Sequence, residues 1–119
     1  MKIAIIGGRR KSLTQFCKIA EDNGYELQSN ELVGHSTPEV RRLVARADLV
    51  VILTDINSHN AMHAAKDCAK TLGRPTLIVK QMGATRFKVL LEAIQRRKDL
   101  GWPWPAAGLE FENLLSRAS

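Results

Sequence analysis

The apolar run from Leu49 to Leu53, which ends in a polar turn, constrains the fold more than any other stretch. It is rich in β-branched residues, so it favours a β-strand. No polar residue interrupts the run, as is typical of a buried strand in a parallel sheet. The turn opens a helix near His59, and such strand–turn–helix junctions are where α/β proteins place ligand-binding groups.

Strand-like and helix-like segments alternate along the first 100 residues. Besides the central run, strands are predicted at Lys2 to Ile6, Tyr25 to Ser29 and Pro75 to Val79, each followed by a helical pattern. This alternation predicts a single three-layer α/β domain with a four-stranded parallel sheet. Right-handed crossovers around a central third strand predict the order 2-1-3-4, of flavodoxin-like or half-Rossmann type.

Capping residues set the expected ends of the helices. Ser12 is the predicted N-cap of the first helix, and Thr37 is predicted to cap the second ahead of Pro38. Residues Asn30 to Ser36 are expected to form a polar loop, and Gly73 should end the third helix. The residues predicted to face inward from the third helix are Ala61, Ala64, Ala65, Cys68 and Leu72. Those predicted to be buried from the fourth are Phe87, Leu90, Leu91 and Ile94.

The chain has 119 residues, of which 45% are hydrophobic and 25% charged, as expected for one globular domain. No apolar run approaches the roughly 20 residues that cross a bilayer, and the N-terminal apolar block is too short for a signal peptide. We therefore expect a cytoplasmic protein without membrane contact. Cys17 and Cys68 lack metal or secretory spacing and are expected to be small core residues. The net charge of +6 favours an anionic partner.

Three loops are expected to meet at the carboxyl edge of the sheet: Gly7 to Lys11, Thr54 to His59, and Lys80 to Thr85. The first combines Gly7, Gly8 and Arg9 with further cations and a helix N-terminus, a combination that favours an anion. Its sequence matches neither a dinucleotide fingerprint nor a Walker loop. The alternative is a tight turn with solvated cations. The third loop adds cations that could extend a basic rim, namely Lys80 and Arg86.

The second loop places Asp55, Ser58 and His59 directly after the central strand. One interpretation is structural, with the short polar residues capping the following helix. The functional interpretation makes His59 a ligand or proton carrier that Asp55 orients, with Lys66 nearby as a cation.

His59 and His63 are four residues apart, so they share a helical face as metal ligands often do. Cys68 lies about 140° away around the helix and cannot complete such a site. His35 or a second subunit could complete it. Haem or a transition metal bound through His59 is therefore an alternative to the anion site.

The sequence contains no nucleophile elbow, carboxylate pair or catalytic triad, so we expect a protein without enzymatic activity. The basic run from Arg96 to Lys98 ends the fourth helix, where cations complement the helix dipole. With Trp102 and Trp104 it leaves nucleic-acid binding as a further, less favoured alternative. We expect residues 101–119 to be an extended C-terminal tail that either docks on the domain or joins two copies in a homodimer.

From Lys2 to Leu91 the chain resembles a bacterial family catalogued as domain of unknown function 2325. The resemblance rests on the strand ending in Gly7-Gly8, on Ala47 to Val51, and above all on Asn57 to Met62 continuing through Lys66 to Lys70. The family pattern centres on His59, its Ser/Asn neighbour, Ala61 and Lys66. His63 and the tail after Gly101 fall outside it. The resemblance implies a small α/β domain and no established reaction.

Together these observations predict a non-enzymatic, cytosolic ligand-binding or regulatory module. Its expected ligand is a small anion held where Gly8, Arg9, Asp55, His59 and Lys66 converge.

Overall fold

The structure, a computed structural model, describes residues 1–55 and 57–99. In chain order its elements are β1 (Lys2–Ile6), α1 (Arg10–Asp22), β2 (Glu26–Ser29), α2 (Asn30–Val33), α3 (Thr37–Arg46), β3 (Leu49–Leu53), α4 (His59–Leu72), β4 (Thr76–Val79) and α5 (Ala84–Asp99). The predicted tail, residues 101–119, lies outside the described residues.

The four strands form one parallel sheet in the order β2-β1-β3-β4, which confirms the predicted topology. Ile3 of β1 is in register with Leu27 of β2 on one side and with Leu49 of β3 on the other. β4 pairs with the other side of β3 and lies at the edge of the sheet that residues 1–55 and 57–99 form. This is the order of the first four strands of a flavodoxin-like sheet.

Side chains alternate along the strands and build a separate core on each face of the sheet. On one face, odd-numbered residues of β1 and β3 pack against α1 and α5; on the other, even-numbered residues pack against α3 and α4. All five residues of β3 are buried, as the apolar run predicts. A fully buried Leu, Ile or Val contributes about 1.5–3 kcal/mol, so β3 is a major source of stability.

Side-chain caps start two of the long helices. The hydroxyl oxygen of Ser36 accepts a hydrogen bond from the Glu39 N–H at the start of α3, and that of Ser58 accepts one from the Ala61 N–H at the start of α4. The predicted cap Thr37 is therefore the first residue of its helix. Gly73 ends α4 in the left-handed conformation, as predicted.

The prediction of Ser12 as a cap is wrong. The observed N-cap is Arg9, three residues before Ser12, so α1 begins at Arg10, and the Arg9 side chain makes no capping hydrogen bond. The start of this helix follows from the turn at Gly7 and Gly8, both of which have positive φ.

Two further expectations fail locally. The predicted loop from Asn30 to Ser36 contains the one-turn helix α2, which the Ser29 hydroxyl caps through the Glu31 N–H. Leu72, expected to face inward, is 47% exposed because α4 ends there. The expected buried residues of α5 are all buried.

Candidate functional site

The turns that follow β1, β3 and β4 surround a cleft of about 320 Å³ at the carboxyl edge of the sheet. Among the described residues, those that line it are Gly8, Arg9, Ser12, Leu13, Phe16, Leu53, Asp55, Lys80, Gln81 and Met82. Each of the three loops contributes lining residues, because parallel strands end at the same edge.

The cleft has an apolar floor. Leu13, Phe16, Leu53 and Met82 belong to the core between the sheet and helices α1 and α5. Phe16 is held in place by stacking on Phe87 of α5, with ring centroids 5.0 Å apart. Such a surface favours an apolar group, because burying apolar area is stabilising at about 25 cal/mol per Å².

The remaining side chains of the cleft are polar. Arg9 and Lys80 bring two cations, Asp55 a carboxylate, and Ser12 and Gln81 neutral hydrogen-bonding groups. The backbone ties two of these loops together, because the Asp55 N–H donates a 2.9 Å hydrogen bond to the Lys80 carbonyl oxygen. The polar groups are thus held on connected strand ends, above the apolar floor.

The N-terminus of α1 lies at this cleft and carries an unfavourable charge pattern. Its first turn contains no acidic residue, and Arg9, Arg10 and Lys11 follow one another there. Cations near a helix N-terminus oppose the helix dipole by roughly 0.3–1 kcal/mol each. An anion bound at this end would offset that repulsion and accept hydrogen bonds from the first amides of the helix.

Asn57 closes the crevice between β1 and β3. The helices that follow these neighbouring strands pack on opposite faces of the sheet, a divergence at which α/β proteins commonly bind ligands. Here the Asn57 side-chain nitrogen fills the gap and donates 3.0 Å hydrogen bonds to the carbonyl oxygens of Ile6 and Leu53. The open cleft therefore lies beside this junction, on the face covered by α1 and α5.

Asn30 supports the same junction from the other side of β1. Its side-chain oxygen accepts a 3.0 Å hydrogen bond from the Gly7 N–H, and the residue is only 1% exposed. Among the described residues, Asn30 Nδ2 and Asn57 Oδ1 are buried without a hydrogen-bond partner. Sequence reasoning missed Asn30 and considered Asn57 only as one of the short polar residues that could cap α4. The observed roles depend on backbone groups far away in the sequence, Gly7 for Asn30 and Ile6 for Asn57.

The predicted site residues separate into two groups. Gly8, Arg9 and Asp55 line the cleft. Gly7, which precedes Gly8 in the sequence, is buried. Ser58 caps α4, while His59 and Lys66 lie on α4, which packs on the opposite face of the sheet from α1 and α5. These last three are not among the residues that line the cleft, and their part in binding stays a prediction.

His59 and His63 are neighbours on the exposed surface of α4. Their ring centroids are 5.4 Å apart with planes at 63°. Within the described residues, no group of three or more metal-ligating side chains forms. His35 instead lies 3.5 Å from Glu31, and Cys68 is directed toward the Arg41 carbonyl oxygen at 3.7 Å.

The other cysteine, Cys17, lies on α1 and packs against the core between the sheet and helices α1 and α5. Burial raises the pKa of the Cys17 thiol, and the nearby Glu21 carboxylate raises it further. Its sulfur lies 3.7 Å from the Leu27 carbonyl oxygen, so the neutral thiol can donate a weak hydrogen bond. A protonated, half-buried thiol is a poor nucleophile, which agrees with the expected packing role.

A family model described as an uncharacterized protein conserved in bacteria (DUF2325) matches residues 2–94. The chain belongs to this family. Neither the comparison with curated proteins nor that with solved structures finds a match. The DUF2325 match spans every strand of the sheet and all the residues that line the cleft.

Membership in DUF2325 assigns no reaction or ligand to the chain. Across the part of the chain that is described, no helix combines the length and apolar character needed to span a membrane.

The basic run from Arg96 to Lys98 lies near the end of α5. Arg96 is exposed, while the side chains of Arg97 and Lys98 lie outside the described set. Nucleic-acid binding through that run stays a prediction.

Proposed function

We propose that this DUF2325 protein is a non-enzymatic, cytosolic binding or regulatory module that holds a small anionic ligand at the carboxyl edge of its sheet. One observation carries the proposal: the cleft combines Arg9 and Lys80 with the N-terminus of α1, which has no side-chain cap. Cations, free amides and the positive end of a helix dipole all favour negative charge.

Binding would engage groups from separate loops at once. Arg9 belongs to the β1–α1 turn and Lys80 follows β4, so an anion between them would link the two ends of the cleft. His59 begins α4, at the far end of the turn that carries Asp55. A ligand that shifts this turn would alter the surroundings of His59, which a partner protein could then recognise. We also propose that the protein acts as a homodimer through residues 101–119.

Thermal unfolding in inorganic phosphate or sulfate tests the anion site. A ligand present at 100 times its Kd stabilises the folded state by about 2.7 kcal/mol, which is readily measured as an increase in Tm. We expect Arg9→Ala and Lys80→Ala to reduce the increase. Lys18→Ala, which removes an exposed cation of α1 away from the cleft, should leave it unchanged.

The proposal fails if neither anion raises the Tm of the wild-type protein. It also fails if Lys18→Ala reduces the increase as much as Arg9→Ala, because the effect would then reflect net charge.

Static light scattering tests the dimer by comparing the mass of the wild type with that of the double variant Trp102→Ala/Trp104→Ala. Equal masses for the two proteins would exclude these two side chains as the dimer contact.

A haem or metal sensor that uses His59 is the second candidate function. The pairing of His59 with His63 favours it, since two imidazoles on a tetrahedral metal have ring centroids roughly 5 Å apart, given metal–nitrogen bonds of about 2.0 Å. Zinc or nickel bound by the pair would be lost in either alanine variant. Haem bound through His59 alone would give a Soret band that His63→Ala retains. Protein that binds neither group when supplied with both excludes this function.

A further inference from the structure

We infer that the ligand of the cleft is a mononucleotide: a phosphate joined through a hydroxyl-bearing sugar to one aromatic base. This inference rests on the proposed anion site and specifies what the rest of the ligand must be. Inorganic phosphate alone would leave the apolar floor and the carboxylate of the cleft unused.

The floor calls for an aromatic or apolar group. Phe16 and Met82 are both buried in the core yet contribute to the cleft surface. Met82 is 8% exposed and Phe16 only 1%, so an aromatic ring of the ligand would contact mainly Met82, whose thioether makes favourable contacts with aromatic rings. Phe16 supports this surface from below, where it stacks on Phe87.

Asp55 calls for hydrogen-bond donors on the same ligand. A carboxylate beside a bound anion is unfavourable unless it accepts hydrogen bonds from the ligand, and ionised carboxylates are acceptors only. Sugar hydroxyls and exocyclic amines are such donors. The side chains of Ser12 and Gln81 each both donate and accept hydrogen bonds, which matches the mixed polarity of a nucleoside.

The dimensions of the cleft favour a ligand of one nucleotide. Its volume of about 320 Å³ is near the lower end of the range for small-molecule sites. Toward the junction between β1 and β3, the Asn57 side chain blocks a second nucleotide. The lack of the glycine fingerprint also disfavours a dinucleotide.

Isothermal titration of the wild-type protein with phosphate, ribose 5-phosphate, AMP, UMP, adenosine and NAD tests the inference. We expect AMP or UMP to bind at least 10-fold more tightly than ribose 5-phosphate, and ribose 5-phosphate to bind at least as tightly as phosphate. NAD should bind more weakly than AMP.

Variants separate the parts of the ligand. Met82→Ala should weaken nucleotide binding by about 10-fold and leave phosphate binding unchanged, while Met62→Ala on α4, away from the cleft, should change neither. Asp55→Asn should strengthen phosphate binding, because it removes a negative charge, and should reduce the preference for ribose 5-phosphate over phosphate.

The outcomes distinguish this inference from the anion site on which it rests. Equal affinity for phosphate, ribose 5-phosphate and AMP overturns the mononucleotide and leaves the anion site standing. Adenosine binding as tightly as AMP overturns the anion site instead. NAD binding as tightly as AMP overturns the size limit, and no binding by any compound overturns both proposals.

Discussion

The side-chain nitrogen of Asn57 lies only 2.6 Å from the position that a β-carbon on Gly7 would occupy. Gly7 also has a φ of +97°, so both its backbone conformation and its lack of a side chain are used. This close approach lets one amide nitrogen bridge the ends of β1 and β3 beside the candidate site.

Gly7→Ala should therefore be strongly destabilising. A β-carbon would meet both Asn57 and the Leu53 carbonyl oxygen, in addition to the cost of positive φ. We expect a loss of about 3 kcal/mol or more in the free energy of unfolding, measured by urea denaturation. Gly73→Ala is the matched control, since Gly73 has a φ of +66° but open space around it, and should cost only about 1 kcal/mol. Equal losses would show that contact with Asn57 does not matter.

Asn57→Ala should destabilise the protein by about 2–3 kcal/mol. The substitution removes both donors to the carbonyl oxygens of Ile6 and Leu53 at a half-buried junction. Asn60→Ala, on the exposed surface of α4, should change the unfolding free energy by less than about 0.5 kcal/mol. A small effect of Asn57→Ala would mean that water replaces the lost donors.

Serine-to-alanine variants test the observed start of each helix. Ser58→Ala should cost about 1 kcal/mol of stability because it removes the cap on the Ala61 N–H. Ser12→Ala should cost little, because Ser12 lies inside α1 and does not cap it. The urea midpoints of the two variants measure these losses. A larger loss for Ser12→Ala than for Ser58→Ala would support Ser12 as the N-cap of α1, as predicted from the sequence.

The strands, their order and the strand-end loops were predictable because they follow from apolar runs, glycine positions and the handedness of crossovers. Gly8, Arg9 and Asp55 could be named for the same reason, since the residue after a parallel strand always lies at this edge. Phe16 could be recognised as a core residue, but its place beside a cleft depends on how β4 and α5 pack. Asn30 escaped prediction because its partner, Gly7, is 23 residues away and contributes only its backbone N–H, which leaves no trace in the sequence.

The raised pKa of Cys17 predicts a specific dependence of stability on pH. In the folded protein burial favours the neutral thiol, so the unfolded chain ionises first as the pH rises past about 9.0. The stability linked to this group is fully present below that pH and is lost as the pH rises through the higher folded pKa. Urea denaturation between pH 7.5 and 10.5 should therefore show a shallower decline for Cys17→Ala than for the wild type. A decline of the same steepness in both proteins would contradict the assignment.

β1 lies between β2 and β3 in the sheet but is synthesised well before β3. Lys2 donates a backbone hydrogen bond to the side chain of Asp48, 46 residues later, and β1 pairs with β3 immediately beyond it. At 5–20 residues per second, a ribosome needs roughly 2–10 s to supply that partner. During this interval β1 can pair only with β2, and its faces can be covered only by α1 and, towards the end of the interval, by α3. The backbone edge of β1 that later pairs with β3 stays open. We therefore expect the nascent protein to be most exposed to aggregation before β3 emerges.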